Sequence, residues 1–469
     1  MAKKTRLIKC PDLTRIDKSI GKAREDLGIE ETLNGFKKRI KNTYRTRDFY
    51  PLENTFLLQF KVEDAIYRRD ILEQFLDNEA FQKTMKKISR KLPRYQFALI
   101  STDWYDEVRE ADSQIRLAAI NNTKYLYMDE ALETILSLPN DTKATQDILA
   151  FAEKAKKALK PYFPIAEKLR KKPIIIKKPD PHNSKKLKFE YDYEWNYHCA
   201  EKLEPFMGQL KEVIRLKKQF SYYKALAIPF EVTCNGKRIP SCKPKFLPQE
   251  ERKGELKKAY HPHFFEKTWD YSEIEKLNIP NDVHWGDNAR NTYILGANGR
   301  GKSVYLKTIG LNTHLAMAGL YAFAKEFSLS PVDQIFPCFD MGDTLGAGHF
   351  HNGANQVTYM KENITINSLV LGDEIGGGTE PEAETWVSKG ISDALIYNNI
   401  SSFFITHDKG TWEEHQNKKN VIFLRVSDID DNKRKYRIWE GIPESGYGKK
   451  IAKKAGIDPH SMNEALKKI

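Results

Sequence analysis

The chain has 469 residues, 40% hydrophobic and 30% charged, with 77 Lys and Arg against 64 Asp and Glu for a net charge of +13. This balance suits a soluble chain with a sizeable core, on the order of two to four domains, and excludes global disorder. No apolar run approaches the ~20 residues of a membrane span, and five scattered cysteines make no disulfide framework.

Met1–Arg6 is basic with no apolar segment behind it, so no signal peptide is expected and a reducing cytoplasm is the default, or the nucleoid or nucleus. Residues 1–47 hold 14 basic and 6 acidic residues, and Glu167–Lys188 holds 9 basic and 2 acidic. The rest is nearly neutral. Two basic segments on a neutral body point to a polyanion, because clustered lysines release counterions from phosphates. Cys234 and Cys242 are too far apart for a zinc knuckle.

In chain order, residues 1–50 read as a basic arm. Asn54–Leu92 is helical, with Phe56, Leu57, Phe60, Val62, Ala65, Ile66, Ile71, Leu72, Phe75 and Leu76 forming a stripe that Pro93 ends. Helical patterns return at Asp129–Leu138 and Thr145–Leu159. Pro161–Lys188 reads as a loop or small hairpin around Ile174–Ile176. Tyr197–Tyr223 is an amphipathic helix, and residues 225–290 are irregular and short-stranded. From Thr292, short buried runs (Tyr293–Leu295, Leu369–Leu371, Phe403–Ile405) alternate with helical stretches, the signature of a parallel sheet. The expected organisation is an arm at 1–50, a mostly α-helical domain at 51–235, an α/β domain with a parallel-rich sheet flanked by helices at 236–448, and a helical tail at 449–469.

Gly296–Ser303 (G-A-N-G-R-G-K-S) fits G-x-x-x-x-G-K-S between a strand and a helical pattern, the context a phosphate loop requires. Its glycines let backbone N–H groups curl around an anion at a helix N-terminus. Lys302 is expected to reach β- and γ-phosphates and Ser303 to ligate Mg²⁺. The strand Leu369–Leu371 runs into Gly372, Asp373 and Glu374. Asp373 is placed to hold Mg²⁺ and Glu374 to orient or deprotonate water. Phe403–Ile405 then ends in Thr406 and His407, with His407 the candidate sensor of the γ-phosphate.

These motifs resemble the MutS family of DNA mismatch repair ATPases over most of residues 50–469. The likeness rests on Ile279–Val283, on Gly296–Ser303 including Asn298, on Leu369–Thr379, and on Thr406–His407. It also rests on the tail with Gly441, Ser445–Gly448, Ile451–Ala452 and Ala455–Ile457. The resemblance implies a P-loop NTPase fold behind a helical core and lever domain. It implies ATP and Mg²⁺ as cofactors, held by Gly296, Asn298, Gly299, Gly301, Lys302, Ser303 and Val304 for the nucleotide and by Ser303 and Asp373 for the metal. Glu374 and His407 are then the catalytic pair. It further implies a homodimer, or a heterodimer with a MutS-like partner, acting on double-stranded or branched DNA in mismatch repair or recombination. Tyr260–Pro262 resembles the family's aromatic step at the start of this domain, where rings stack on adenine.

Three departures qualify the likeness. Only about 50 residues precede the core, too few for the family's mismatch-reading and connector domains. Residues 95–225 suit levers but hardly a full clamp. The signature loop beginning at Asp343–Gly348 is interrupted by His349–Gln356, and Val357 stands where a serine precedes Thr358; His351, Asn352 and Asn355 are the alternative donors. The competing readings are a nucleotide-dependent ribonucleoprotein or ribosome-binding factor, and a nucleotide-gated interaction protein with weak hydrolysis.

Overall fold

The computed structural model describes residues 62–79, 143–161, 175–180, 183–191, 240–262, 279–339, 349–376, 380–426 and 436–443, with scattered residues between. The chain divides into two compact units, and the division falls inside α1 (Val62–Asp77) and after Ala227.

The first unit contains α2 (Lys143–Leu159) and a hairpin of β1 (Ile175–Asp180) and β2 (Asn183–Tyr191). The two strands pair antiparallel from Ile175–Tyr191 to Pro179–Leu187, with a register shift before Asp180 pairs with Asn183. From sequence only the short Ile174–Ile176 run reads as strand-forming. The hairpin is longer because an alternating Lys/apolar pattern continues through Leu187 and Phe189.

The second unit is a mixed α/β domain with two larger sheets, besides a short antiparallel pairing of Thr233–Cys234 with Lys237–Arg238. The smaller joins β3 (Lys245–Phe246), β4 (Gly254–Ala259), β5 (Asn281–Trp285) and β7 (Glu326–Leu329), in the order β3–β7–β4–β5. Most of it lies in the stretch that reads from sequence as irregular and short-stranded. Its exposed positions alternate with buried Leu256 and Val283, and β3 has two residues, too few for a visible period. The main sheet has six strands: β6 (Asn291–Leu295), β8 (Ile335–Cys338), β9 (Leu369–Asp373), β10 (Ser401–Ile405), β11 (Val421–Val426) and β12 (Ile438–Glu440). Their order is β8–β9–β10–β6–β11–β12. Neighbours are parallel except at β12, which runs antiparallel to β11.

Strand alternation divides the main sheet's side chains between two cores. Ile294, Leu369, Leu371, Phe403 and Ile405 pack with Leu306 and Ile309 of α3 (Lys302–Met317) and with Trp285 of the second sheet. Tyr293, Leu295, Val370, Phe404 and Phe423 face the other way. They pack with Met360 of α4 (His349–Asn363) and with Leu395 and Ile396 of α5 (Pro381–Tyr397). The sheet is thus buried on both faces, which explains why its strands are continuous apolar runs. His349–Gln356, which reads from sequence as a loop insertion, is the beginning of α4; the side chains of His351, Asn352 and Asn355 and the stretch 340–348 lie outside the described residues.

The C-terminal end of α3 is anchored on α1. Arg68 Nη1 donates to the Ala318 carbonyl at 2.9 Å. Gly319 turns the chain at φ +71°, and a Cβ there would stand 2.6 Å from the Ala65 carbonyl oxygen.

Candidate nucleotide site

Parallel register brings three strand ends to one edge. Asp373 pairs with Ile405, and Ile405 with Ile294. The residues just beyond each strand therefore converge where ligands of open α/β sheets bind.

The first is the turn from β6 into α3. Gly296 has φ +124°, and a Cβ on it would meet Val426 Cγ2 at 2.5 Å, so neither backbone nor space admits a side chain. Gly301 caps α3 in the left-handed region at φ +89°, with Tyr436 against it. The turn folds back on its own lysine. Lys302 Nζ donates to the Gly296 carbonyl at 2.7 Å and to Asn298 Oδ1 at 3.0 Å. Lys302 is only 5% exposed. Burial lowers its ammonium from 10.5 to about 8, against the pull of Glu374 and Asp373.

The second is the acidic end of β9. The Asp373 carboxyl is held above its usual range by burial, with a hydrogen bond to Ser303 opposing. Glu374 lies in the left-handed region at φ +50°, and its N–H donates to the Ile405 carbonyl at 3.1 Å. A non-glycine residue held there stores about 1–3 kcal/mol of backbone strain. The strained step turns Glu374 out of the strand.

The third is His407 beyond β10. Its Nε2 lies 2.7 Å from Asn298 Oδ1, 3.3 Å from Glu374 Oε1 and 3.2 Å from Lys302 Nζ. With the proton on Nε2, the ring donates to Asn298, while the lysine's protons go to the Gly296 and Asn298 oxygens. Glu374, His407, Asn298 and Lys302 thus form one cluster, and Asp373 and Ser303 a bonded pair beside it. Ser303 and Val304 begin α3 and are exposed. Among the described residues, no group of three or more His, Cys, Asp and Glu side chains could hold a metal ion.

Tyr260 sits against the middle of α3, where its carbonyl accepts from Asn312 Nδ2 at 3.1 Å. Tyr436, which no sequence pattern singles out, lies at Gly301. Asn281, inside the Ile279–Val283 motif, bonds the Tyr436 carbonyl at 3.0 Å and the Ile438 N–H at 2.9 Å. Glu384 on α5 is a second residue that the motifs miss; burial raises its carboxyl, as do Glu374 and Asp408, while His407 lowers it. Nothing local in the sequence marks Tyr436, whereas Asp408 has a cap signature: it accepts from Gly410 N–H at 3.0 Å and from Thr411 Oγ1 at 2.7 Å.

Residues 292–469 match the family model for MutS domain V. The match begins in β6 and takes in the whole strand-edge cluster. One similar protein is a DNA mismatch repair protein MutS of Chlorobium chlorochromatii, 32% identical over 197 residues, 41% of this chain and 23% of that protein. Another is an Endonuclease MutS2 of Bacillus velezensis, 29% identical over 216 residues, 45% of this chain and 26% of that protein. A third is an Endonuclease MutS2 of Caldanaerobacter subterraneus, 30% identical over 216 residues, with the same two shares. The matched segment spans about a quarter of each relative. The homology to MutS and MutS2 proteins is distant and carried by the domain V region. No helix among the described residues is long and apolar enough to cross a membrane.

Proposed function

We propose that the chain is a MutS-like ATPase whose P-loop is Gly296–Ser303. The observation that carries this reading is the convergence of Lys302, Asn298, Glu374 and His407 on one strand edge, 2.7–3.3 Å apart, inside the domain V match. The backbone N–H groups of the loop, with Gly296, Gly299 and Gly301 at positive φ, form the anion cradle together with the N-terminus of α3. Lys302 is satisfied here by loop oxygens that a phosphate would replace with a stronger, charge-assisted partner.

The Asp373–Ser303 pair fits Mg²⁺, which needs only one or two protein oxygens beside substrate phosphates and so does not call for a cluster of acids. Bound there, Mg²⁺ would neutralise charge on the phosphates. Glu374 orients water for attack on the γ-phosphorus and accepts its proton. His407, bonded to Asn298 and facing Glu374, links the occupancy of the loop to the carboxylate. Glu384 raises the local negative charge and so favours Glu374 as a base.

DNA, double-stranded or branched, is the macromolecular partner in this reading, supported by the two basic segments and by the names of the relatives. A dimer, homo- or heteromeric, would close the open side of the site and exclude water from it. The test is phosphate release from MgATP by the wild type and by Glu374→Gln. Turnover by the wild type and its loss of about 100-fold or more in the variant, with nucleotide affinity retained, supports the assignment. Equal rates overturn it.

A further inference from the structure

His415 is fully buried and bonded at both ring nitrogens. Nδ1 lies 2.8 Å from the Tyr293 hydroxyl and Nε2 2.7 Å from Asp393 Oδ1. We propose that His415 is a positioning residue for the nucleotide site: its bridge between Tyr293 and Asp393 fixes the segment carrying His407 to the strand that feeds the phosphate loop and to α5. The proposal rests on the ATPase reading above and deepens it.

Three elements meet at this imidazole, and each carries a site residue. Tyr293 lies in β6, three residues before Gly296. Asp393 lies in α5, whose first turns hold Glu384. His415 ends the short helical stretch that starts at α6 (Lys409–Trp412), directly after His407. Within that stretch, Asp408 caps α6 and Trp412 packs edge-on against Phe423 at 5.6 Å. The Tyr293 ring lies between His415 and Phe423, with centroids at 5.8 Å and 5.5 Å and interplanar angles of 23° and 12°. The stretch is thus capped at its start by Asp408 and pinned at its end by His415.

The surroundings set the protonation pattern. Burial holds the imidazole below its ordinary value against the pull of Asp393, so the ring is neutral near pH 7. Burial also raises the Tyr293 phenol, which keeps its proton. Tyr293 therefore donates to Nδ1 and Nε2–H donates to Asp393. Asp393 in turn holds Lys389 at 2.9 Å, and Lys389 reaches Glu414 at 2.9 Å, beside His415.

Packing alone does not call for this arrangement. Replacing both partners of a buried hydrogen bond with apolar groups of the same shape is nearly neutral for stability. What a relay of directional bonds adds is a single geometry. That matters at His407, because its contacts to Asn298 and Glu374 are short enough for a displacement of about 1 Å to break them, and misplacement of that order costs up to about 100-fold in rate.

Tyr293→Phe tests the idea with the smallest change, the loss of one hydroxyl, in the full chain. It is expected to keep MgATP affinity within about twofold and to lower kcat about tenfold with little change in KM. The imidazole NMR resonance of His407, assigned by its loss in His407→Gln, is expected to shift or broaden. Asp393→Asn, which keeps an acceptor for Nε2–H, is expected to retain most of the rate. Unchanged kcat and an unchanged His407 resonance in Tyr293→Phe overturn the proposal. If the wild type neither binds nor hydrolyses nucleotide, the ATPase reading fails instead. The His407 resonance then decides the positioning role alone: movement supports it, and constancy overturns it.

Discussion

Lys302 carries a stability cost of burying its charge, and Lys302→Met should expose it. In the folded chain the ammonium is lowered from 10.5 to about 8, mainly by burial. Below pH 8 both the folded and unfolded states hold the proton, and the folded state bears the full cost of burying the charge. Between pH 8 and 10.5 the folded state gives up the proton while the unfolded state keeps it, so wild-type stability rises with pH. At about 1.4 kcal/mol per pH unit the full displacement amounts to roughly 3 kcal/mol. Solvent reaching the loop screens part of this, which leaves about 2 kcal/mol. Met removes the charge and keeps the aliphatic stem, at the expense of the bonds to the Gly296 and Asn298 oxygens, worth about 0.5–1.5 kcal/mol each for the neutral amine. Those bonds persist when the lysine is neutral, so they cancel in the pH dependence. Urea unfolding of both proteins, followed by tryptophan fluorescence at pH 7 and pH 10, measures the difference. Between those two pH values the wild type is expected to gain about 2 kcal/mol relative to the Lys302→Met variant. A stability difference that is the same at both pH values would refute the desolvated lysine.

Other outcomes arise from close contacts. Gly319→Ala would force a Cβ to 2.6 Å from the Ala65 carbonyl at φ +71°. It should lower stability by about 1–3 kcal/mol, read as a fall in thermal midpoint with nucleotide affinity unchanged. Asn291→Ala removes donors to the Ile400 carbonyl and the Ser402 hydroxyl, both at 2.8 Å in the core. Leaving those acceptors unpaired should cost about 1–3 kcal/mol in urea unfolding. Gly296→Ala meets Val426 at 2.5 Å from a positive φ. It should weaken nucleotide binding at least tenfold in a fluorescent-nucleotide titration, because the loop opens to relieve the contact.

The placement of the three motifs at one strand edge is legible in the sequence because each comes directly after a buried parallel strand. Such strands read as unbroken apolar runs, and the residues next in the chain stand at the sheet edge. Gly296–Ser303, Asp373–Glu374 and His407 come together for that reason. The pairing of the second sheet is not legible, since its strands are half-exposed, as short as two residues, and paired across up to about 80 positions, as in Lys245 with Ser328. Tyr436 and the Tyr293–His415–Asp393 relay escape for a related reason. A tyrosine in an apolar run reads as core, and a histidine on a surface-like stretch reads as solvated; only the fold shows that their polar atoms meet.

Calorimetric titration of MgATP into the wild type and into Lys302→Ala tests most directly whether Gly296–Ser303 grips a nucleoside triphosphate through main-chain amides and Lys302. Saturable binding to the wild type and a loss of about 100-fold or more in the variant are expected. Absence of binding to the wild type, or equal affinity in the two proteins, would contradict that role for the loop and its lysine.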